Sequence, residues 1–461
     1  MLDFETLYSW VKELPIIDWH NHLDMKMLAE DRPLGSLYEV WVKADPYKHR
    51  AMRICGEPER LITGGNGQNA RCPSGVPAVV EESDKWAAWM RTLPKLVGNP
   101  LFAWAKMEME WLGLDPESYL HGKGENVSLA DWTPSKMLAK FGVEYLSPCV
   151  GAGEPEGLQT SDGGLQKAAE AEIDVKSEVS SPKSSFQIAP SLRINAGDVV
   201  SVDILERFHA AGCRIVDISV DDVSSFADNQ TIKQANNQTI SIAAFAAAHG
   251  WTMLLHLGAL RETSARLRAA AGPAGGFAGM RAPVDPSAVA AFLNGLETGR
   301  TGVPPVGNGQ DARCPSVNGQ DARCPSDARS PSMLPRTILM SLNPEAHAQL
   351  AVLAGSFVEA GMPGKVQLGP AWWWCDHEEG IRDVLEKNAA YGVLSTFVGM
   401  TTDSRSLLSF VRHDYFRRIL CRWVAEKVAS GAFPDDEALL RPMLENVCYR
   451  NAKGIVQTLM K

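Results

Sequence analysis

The chain has no uninterrupted apolar run long enough to cross a bilayer, and its first residues, MLDFETLYSWVKEL, carry acidic side chains where a secretion signal has an apolar core. These absences predict a cytoplasmic protein with no membrane partner. The formal net charge of -10 provides no basic surface and argues against nucleic acid as a partner. The 9 cysteines include no CxxC pair, so we expect reduced thiols rather than a disulfide framework or a structural zinc site.

A nine-residue unit occurs three times, as NGQNARCPS at 66–74 and as NGQDARCPS at 308–316 and 318–326. Each copy is rich in Gly, Pro and Asn and has no apolar face, which favours surface insertions over a thiolate metal cluster. A Gly-, Ser- and Glu-rich stretch follows residue 150. We therefore predict low-complexity loops at 151–185 and 301–333.

Outside these loops, short apolar runs alternate with helix-like segments, several of which end in Gly. This alternation predicts an α/β fold, a (β/α)8 TIM barrel with functional groups at the C-terminal ends of its strands. An open doubly wound sheet is the alternative, but it would call for a glycine-rich phosphate motif that the sequence lacks. The predicted strands are Ile16–His20, Val143–Ser147, Phe186–Pro190, Cys213–Asp217, Met253–His256, Thr337–Leu342, Val366–Gly369 and Thr396–Met400.

The connection between the first two predicted strands is long, helix-like and rich in Trp. We interpret residues 30–139 as a helical insertion after the first strand, and residues 1–29 and 140–461 as the barrel. Such an insertion can cover the barrel mouth and exclude water from the chemistry.

The stretch IIDWHNHLD places His20 and His22 at the end of the first predicted strand. Residues i and i+2 of a strand point to the same face, so both imidazoles can enter the barrel mouth. Imidazole suits zinc, manganese or iron, and an open catalytic site typically adds a carboxylate. The alternative is a pair of ordinary polar residues at a strand end.

Asp403 is the carboxylate that favours a metal site, because it directly follows the last predicted strand, which neighbours the first strand in a closed barrel. Alternatively, it could cap the helix expected from Ser404 onward. Arg405 lies two residues further along, and its planar guanidinium can bind hydroxyl or carboxylate oxygens.

Several blocks of the sequence together resemble the uronate isomerase (glucuronate isomerase) family of the amidohydrolase superfamily. The blocks are DWHNHLD, DPYKHRAMRICGEPERLITG, LPKLVGNPLFAW, LLHLGALR, TILMSLNP, QLGPAWWW and FVGMTTDSRSLLSFVRHDYFRRILC. The resemblance implies an aldose–ketose isomerase that interconverts D-glucuronate with D-fructuronate, or D-galacturonate with D-tagaturonate. It also implies a homo-oligomer that acts on a small hexuronate.

By motif, His20, His22 and Asp403 match the ligands of one divalent metal ion, zinc or manganese, which isomerisation need not strictly require. Asp403 also matches the general base. Tyr47, in DPYKHR, matches the tyrosine that helps move a proton between the two carbonyl-bearing positions.

The resemblance further implies a set of substrate-binding residues. Arg405 matches the arginine that holds substrate hydroxyls, and the resemblance places it among the catalytic residues with Asp403 and Tyr47. Arg193, in APSLRI, matches an arginine that lines the mouth. His256, in LLHLGA, matches the histidine that ends the fifth strand.

This chain also departs from the family pattern near the mouth. SPCVGAGEP replaces Thr-Thr-Asp-Asp-Pro after the second strand, and Asn195, Ile218 and Leu255 replace an aspartate, a histidine and a glutamine. These losses leave two alternatives, a divergent mononuclear metallohydrolase of the same superfamily and an inactive sugar-acid-binding relic. The hydrolase would usually carry a further metal-site histidine on the sixth strand, where TILMSLN has none.

Overall fold

A computed structural model describes residues 1–63, 80–152, 186–195, 198–220, 230–272, 275–298 and 333–457. The three nine-residue units and almost all of the predicted low-complexity loops lie outside these residues. No helix in the described ranges is both long and apolar enough to cross a membrane.

A parallel sheet forms the centre of the fold, with the neighbour order β1-β2-β4-β5-β6-β9-β10. The short strand β3 also pairs with β2, and β7 and β8 form a separate antiparallel pair. The strands are β1 (Ile16–Asn21), β2 (Val143–Gly151), β3 (Gln187–Ile188), β4 (Ser191–Ile194), β5 (Ile215–Val220), β6 (Thr252–Leu257), β7 (Ala259–Leu260), β8 (Gly279–Met280), β9 (Arg336–Ser341) and β10 (Val366–Leu368).

Helices surround this sheet and fill the connection between β1 and β2. The α-helices are α1 (Phe4–Val11), α2 (Met25–Glu30), α3 (Leu37–Trp41), α4 (Pro46–Ile54), α5 (Glu82–Thr92), α6 (Pro100–Leu112), α7 (Pro116–Leu120), α8 (Pro134–Lys140), α9 (Val202–Ala210), α10 (Gln230–Ala248), α11 (Ala265–Ala271), α12 (Pro286–Thr298), α13 (His347–Ala354), α14 (Glu378–Tyr391), α15 (Val411–Ala429), α16 (Glu437–Glu445) and α17 (Asn451–Val456). Short 3-10 helices occupy Glu59–Leu61, Leu93–Leu96, Pro344–Ala346, Trp373–Cys375, Leu394–Thr396 and Leu407–Phe410, and a π-helix occupies Asn446–Arg450.

Alternation along the strands separates the inside of the barrel from its outside. Ile215 and Leu254 belong to one buried cluster, whereas Val216 belongs to another, which it shares with residues of the outer helices α9, α12 and α13. Side chains two residues apart on a strand share a face. Asp217 and His256, which are two residues beyond Ile215 and Leu254, therefore also point into the barrel.

The prediction of a strand at Thr396–Met400 is wrong. A 3-10 helix ends at Thr396, and Val398 N–H then donates to the side-chain oxygen of Gln367 in β10 at 3.0 Å, not to a backbone carbonyl. Gly399 adopts a φ of 73°, in the left-handed region that interrupts an extended strand. The segment therefore does not pair through a backbone ladder as an eighth strand. It is held by side-chain contacts, and Gly399 interrupts the extended backbone.

The same segment nevertheless closes the barrel against β1. Asp403 N–H donates to His20 O at 3.1 Å, and His22 N–H donates to Ser404 O at 2.8 Å. The expectation that the end of the chain's last barrel segment lies beside the first strand is therefore confirmed.

The buried Asp18 carboxylate fastens this closure. It accepts hydrogen bonds from Thr402 N–H at 2.7 Å, Thr402 Oγ1 at 2.8 Å and Thr401 Oγ1 at 3.0 Å. His413 Nε2 and Asn21 Nδ2 lie 3.2 and 3.1 Å from its oxygens. One buried charge on β1 thus holds the segment before Asp403 and the helix α15 after it.

Two other boundaries differ from the sequence-based expectation. The third strand, predicted at Phe186–Pro190, is split into β3 and β4 at Pro190, which has no N–H for a ladder. The helix expected from Ser404 begins later, with Ser406 capping the 3-10 helix by accepting from Leu408 N–H at 3.3 Å. Asp403 therefore does not cap it.

Candidate active site

His20, His22 and Asp403 meet where β1 ends. Asp403 Oδ1 lies 3.3 Å from His20 Nε2 and 3.1 Å from His22 Nε2. Asp403 has a φ of 48°, in the left-handed region that few residues with a side chain adopt and that occurs often at functional sites. The closure of the barrel thus aims one carboxylate oxygen at two imidazoles.

The charges of this trio favour an ionised Asp403 beside a neutral His22. Burial opposes ionisation of Asp403, but its contacts with the two histidines hold the pKa of the carboxyl well below its usual range. Burial lowers the pKa of His22 to about 4, against the pull of Asp403. At neutral pH the trio therefore offers a carboxylate and an imidazole lone pair.

A second cluster surrounds Asp217 on β5. Its carboxylate accepts hydrogen bonds from Arg193 Nη1 on β4 and pairs with His256 Nδ1 on β6. Cys149 Sγ on β2 donates to Asp217 Oδ2 at 3.3 Å. Burial opposes ionisation of Asp217, but Arg193 and His256 hold its pKa well below the ordinary value. The two clusters adjoin, because His20 Nε2 lies 4.0 Å from Asp217 Oδ2.

The donor atoms present fit a metal ion. Two groups have donor atoms within 4.8 Å of one another: His20, His22 and Cys149, and His20, Asp217 and His256. The Nε2 atoms of His20 and His256 are buried and find no hydrogen-bond partner among the described residues. Native proteins rarely leave buried polar atoms unpaired, so these nitrogens point to a ligand. Imidazole and carboxylate together are typical of an open divalent-metal site.

Tyr47 reaches the mouth from the connection between β1 and β2. The carboxylate of Asp45 caps α4 by accepting from Tyr47 N–H at 2.9 Å, which sets the first turn of that helix. The ring of Tyr47 packs edge-on against Trp104 and Trp374, with centroids 5.9 and 5.4 Å apart. Its hydroxyl is buried and lacks a partner within the described part of the chain. Burial raises the pKa of Tyr47 well above its usual value, and the Asp403 charge adds to this rise, so the phenol stays protonated.

Arg412 and Asp376 form a buried ion pair behind Tyr47. Arg412 Nη1 donates to Asp376 Oδ2 at 2.6 Å, and Nη2 donates to Thr402 O, next to Asp403. The guanidinium carbon lies 5.6 Å from the centre of the Tyr47 ring. Burial raises the pKa of Asp376 to about 6, although Arg412 opposes the rise.

Arg405 is the predicted site residue that the structure sets apart. Its side chain is exposed and makes no hydrogen bond or ion pair with any residue that the structure describes. Its charge still helps to lower the pKa of His22, after burial and the histidine neighbour, so it lies close to the metal-ligand candidates. The predicted residues His20, His22, Asp403, Tyr47, Arg193 and His256 gather at the mouth.

Sequence reasoning did not assign Cys149, Arg412 and Asp376 to the site. Arg412 carried a usable signal, because it lies four residues after Leu408 and three before Tyr415 on the apolar face predicted for that helix. A cation on such a face must pair with a buried anion. Cys149 carried only the weaker signal of lying near the end of a predicted strand.

A parallel barrel whose strand ends gather imidazoles, carboxylates and a protonated phenol defines a (β/α)8-barrel enzyme with a candidate divalent-metal centre. The family model described as glucuronate isomerase matches residues 3–116 and 320–455, and the chain belongs to this family.

Curated relatives agree with this assignment, and a solved structure matches the fold. The chain is 30% identical to a uronate isomerase of Geobacillus thermodenitrificans, over 97% of this chain and 95% of that protein. It is 29% identical to a uronate isomerase of Caldicellulosiruptor bescii, over 97% of this chain and 96% of that one. The fold matches a uronate isomerase structure from Thermotoga maritima with a TM-score of 0.73 at 22% identity, covering 98% of this chain and 97% of the other. The predicted barrel fold is confirmed.

Proposed function

We propose that this chain interconverts hexuronate aldoses and ketoses, D-glucuronate with D-fructuronate and D-galacturonate with D-tagaturonate. Membership of the glucuronate isomerase family supports the reaction class. The observation that carries the proposal is the Asp403 carboxylate, which contacts His20 and His22 at the mouth and lies close enough to Tyr47 for its charge to raise the pKa of that phenol.

The residues supply what the reaction needs. In the aldose-to-ketose direction, a base removes the proton from C2, an enediol forms, and a proton is returned to C1. Asp403 is ionised at neutral pH and acts as this base. Tyr47 is protonated and moves a proton at the substrate oxygens.

His20, His22 and Asp403 would hold one divalent ion. When bound, that ion supplies Lewis-acid polarisation and a template for the substrate oxygens. Isomerisation needs no activated water, so the reaction does not strictly require the ion.

Cations bind the acidic substrate in a protein whose net charge is -10. Arg193 lies in the mouth, where its Nη1 donates to Asp217, and Arg405 is exposed nearby. His256 presents an unpartnered Nε2 to the same space. The positive charges of Arg193 and Arg405 offset the overall field and attract a carboxylate.

We further propose that residues 30–139 form a cap on a barrel made of 1–29 and 140–461. The packing of Tyr47 and Trp104, from the cap, against Arg412 and Trp374, from the barrel, supports this division. The cap then supplies one catalytic group and excludes water from the enediol.

Incubation with D-glucuronate and D-galacturonate tests the function. We expect ketose to form from at least one of them, as read by a ketose-specific colour reaction or by NMR. A panel of esters, lactones and amides run beside them serves as the comparison. Failure with both uronates together with hydrolysis of a panel member would instead identify a metallohydrolase, and failure with every compound would identify a binding relic.

Replacing Tyr47 by Phe is expected to lower kcat by about 10²- to 10⁴-fold, because the hydroxyl that moves the proton is lost. The unfolding free energy should change little, since this hydroxyl has no partner among the described residues. The matched control is Tyr119→Phe, whose hydroxyl donates to Glu125 O at 2.8 Å. That control should cost about 1 kcal/mol of stability and leave kcat unchanged. Equal kcat values for the two variants would remove Tyr47 from the mechanism.

A further inference from the structure

Cys149 differs from the buried thiols of Cys213 and Cys375 in what its sulfur contacts. Sγ of Cys213 and Sγ of Cys375 each donate to a backbone carbonyl, at 3.1 Å. Sγ of Cys149 instead lies 3.3 Å from Asp217 Oδ2 and 3.9 Å from His20 Nδ1, at the end of β2. A thiol placed among an imidazole and a carboxylate has the surroundings of a metal ligand.

The distances between donor atoms support this assignment. One ligand atom from each of His20, His22 and Cys149 lies within 4.8 Å of the others. Cys149 Sγ and His20 Nδ1, 3.9 Å apart, have a spacing that two ligands of one cation can adopt, since metal–nitrogen and metal–sulfur bonds are about 2.0–2.3 Å long.

A second, independent observation points to a ligand in this space. The fully buried side chain of His20 places Nε2 3.3 Å from Asp403 Oδ1, and this nitrogen has no hydrogen-bond partner among the described residues. His256, also fully buried, has an unpartnered Nε2 as well, counting every residue that the structure describes. The two rings are tilted by 50° to each other, with centroids 5.0 Å apart. A bound cation would provide a partner for these buried nitrogen atoms.

We propose that Cys149 Sγ, together with His20 and His22, binds a thiophilic divalent cation such as zinc, cobalt or cadmium. This inference rests on the metal centre in the proposed function. On binding, the thiol gives its proton to solvent and the sulfur donates a lone pair to the cation. A thiolate ligand favours these cations over manganese and magnesium, which prefer oxygen.

Cys149 lies in a segment where this chain departs from the family pattern. It lies in SPCVGAGEP, where the resembling family has Thr-Thr-Asp-Asp-Pro. A sulfur ligand here would compensate for polar groups that the departure removes from the mouth.

Cobalt spectroscopy tests the proposal without reference to turnover. The purified full chain is stripped with a chelator and reloaded with cobalt(II) alone. Cobalt at a protein site gives visible d–d bands, and a cobalt–thiolate bond adds a charge-transfer band in the near ultraviolet. We expect both in the wild type, and loss of only the near-ultraviolet band in Cys149→Ser and Cys149→Ala. The matched control, Cys55→Ser, keeps both bands.

The other outcomes each overturn a defined statement. Visible bands without the near-ultraviolet band, or a near-ultraviolet band that survives in both Cys149 variants, would overturn the sulfur ligand and leave the metal centre at His20, His22 and Asp403. Absence of all cobalt bands in the wild type would overturn the metal centre and the sulfur ligand together. Ketose formation by the same wild-type preparation is measured separately, so the reaction can fail or hold independently of the cysteine.

Discussion

Asp403→Asn is expected to reduce kcat for uronate isomerisation by about 10²- to 10⁴-fold, because the amide cannot accept the C2 proton. The asparagine has the same shape and retains an oxygen near His20 and His22, so the fold should survive. The measurement is a steady-state ketose assay, with near-ultraviolet circular dichroism and metal content recorded on the same samples. Loss of kcat with metal content unchanged would separate the role of base from that of ligand.

The matched control for this variant is Asp115→Asn. Asp115 caps the exposed start of α7 by accepting from Glu117 N–H at 3.2 Å, and asparagine caps a helix equally well. This control should retain wild-type kcat. If Asp403→Asn also retained activity within about tenfold of the wild type, another group would be the base.

Asp18→Asn is expected to destabilise the protein by about 3–5 kcal/mol, because it removes one partner from a buried, charged hydrogen-bond network. Thr401, Thr402 and His413 all converge on this carboxylate, and it holds the segment that positions Asp403. Urea unfolding at neutral pH measures the loss. The matched control is Asp24→Asn, at the next aspartate in the sequence, which is exposed and caps α2. This control should change the unfolding free energy by less than about 0.5 kcal/mol.

The difference in unfolding free energy between the wild type and Asp18→Asn should depend on pH in a defined direction. Burial opposes ionisation of Asp18, but contacts with His413 and Thr402 lower its pKa below the ordinary value. The folded state therefore binds the proton more weakly than the unfolded chain does. The stability from Asp18 is complete above the unfolded pKa of about 3.9 and is lost as the pH falls through the lower folded value. The gap between wild type and Asp18→Asn should thus narrow below about pH 4, and a gap that widened there would contradict this assignment.

Most barrel strands could be predicted because they are short apolar runs whose ends carry polar residues. The strands β1, β6 and β9 begin within a residue of the expected positions. The eighth could not, because Thr396–Met400 has a strand-like composition but its backbone groups bond to distant side chains such as Gln367. Contacts between residues remote in sequence leave no local pattern. Pro190, in contrast, carried a local signal for the split between β3 and β4.

Some site residues could be predicted from the sequence pattern alone, and others could not. The spacing of His20 and His22, and the place of Asp403 after a strand-like run, indicate a metal site from simple geometry, and the structure brings the three together. Tyr47 lies on a helix of the long connection, where composition says nothing of its distance from Asp403, so only the family resemblance found it. The exposure of Arg405 depends on how the segment after Asp403 turns, which the sequence pattern does not fix.

Proton transfer between neighbouring carbons is tested most directly by running the reaction in D2O and reading the ketose by NMR. We expect solvent deuterium at C1 of the ketose, and a strong reduction in both ketose and label with Asp403→Asn. Ketose that forms while fully retaining the substrate hydrogen at C1 would contradict proton transfer through a base that exchanges with solvent. Absence of ketose from both D-glucuronate and D-galacturonate would contradict the isomerase function itself.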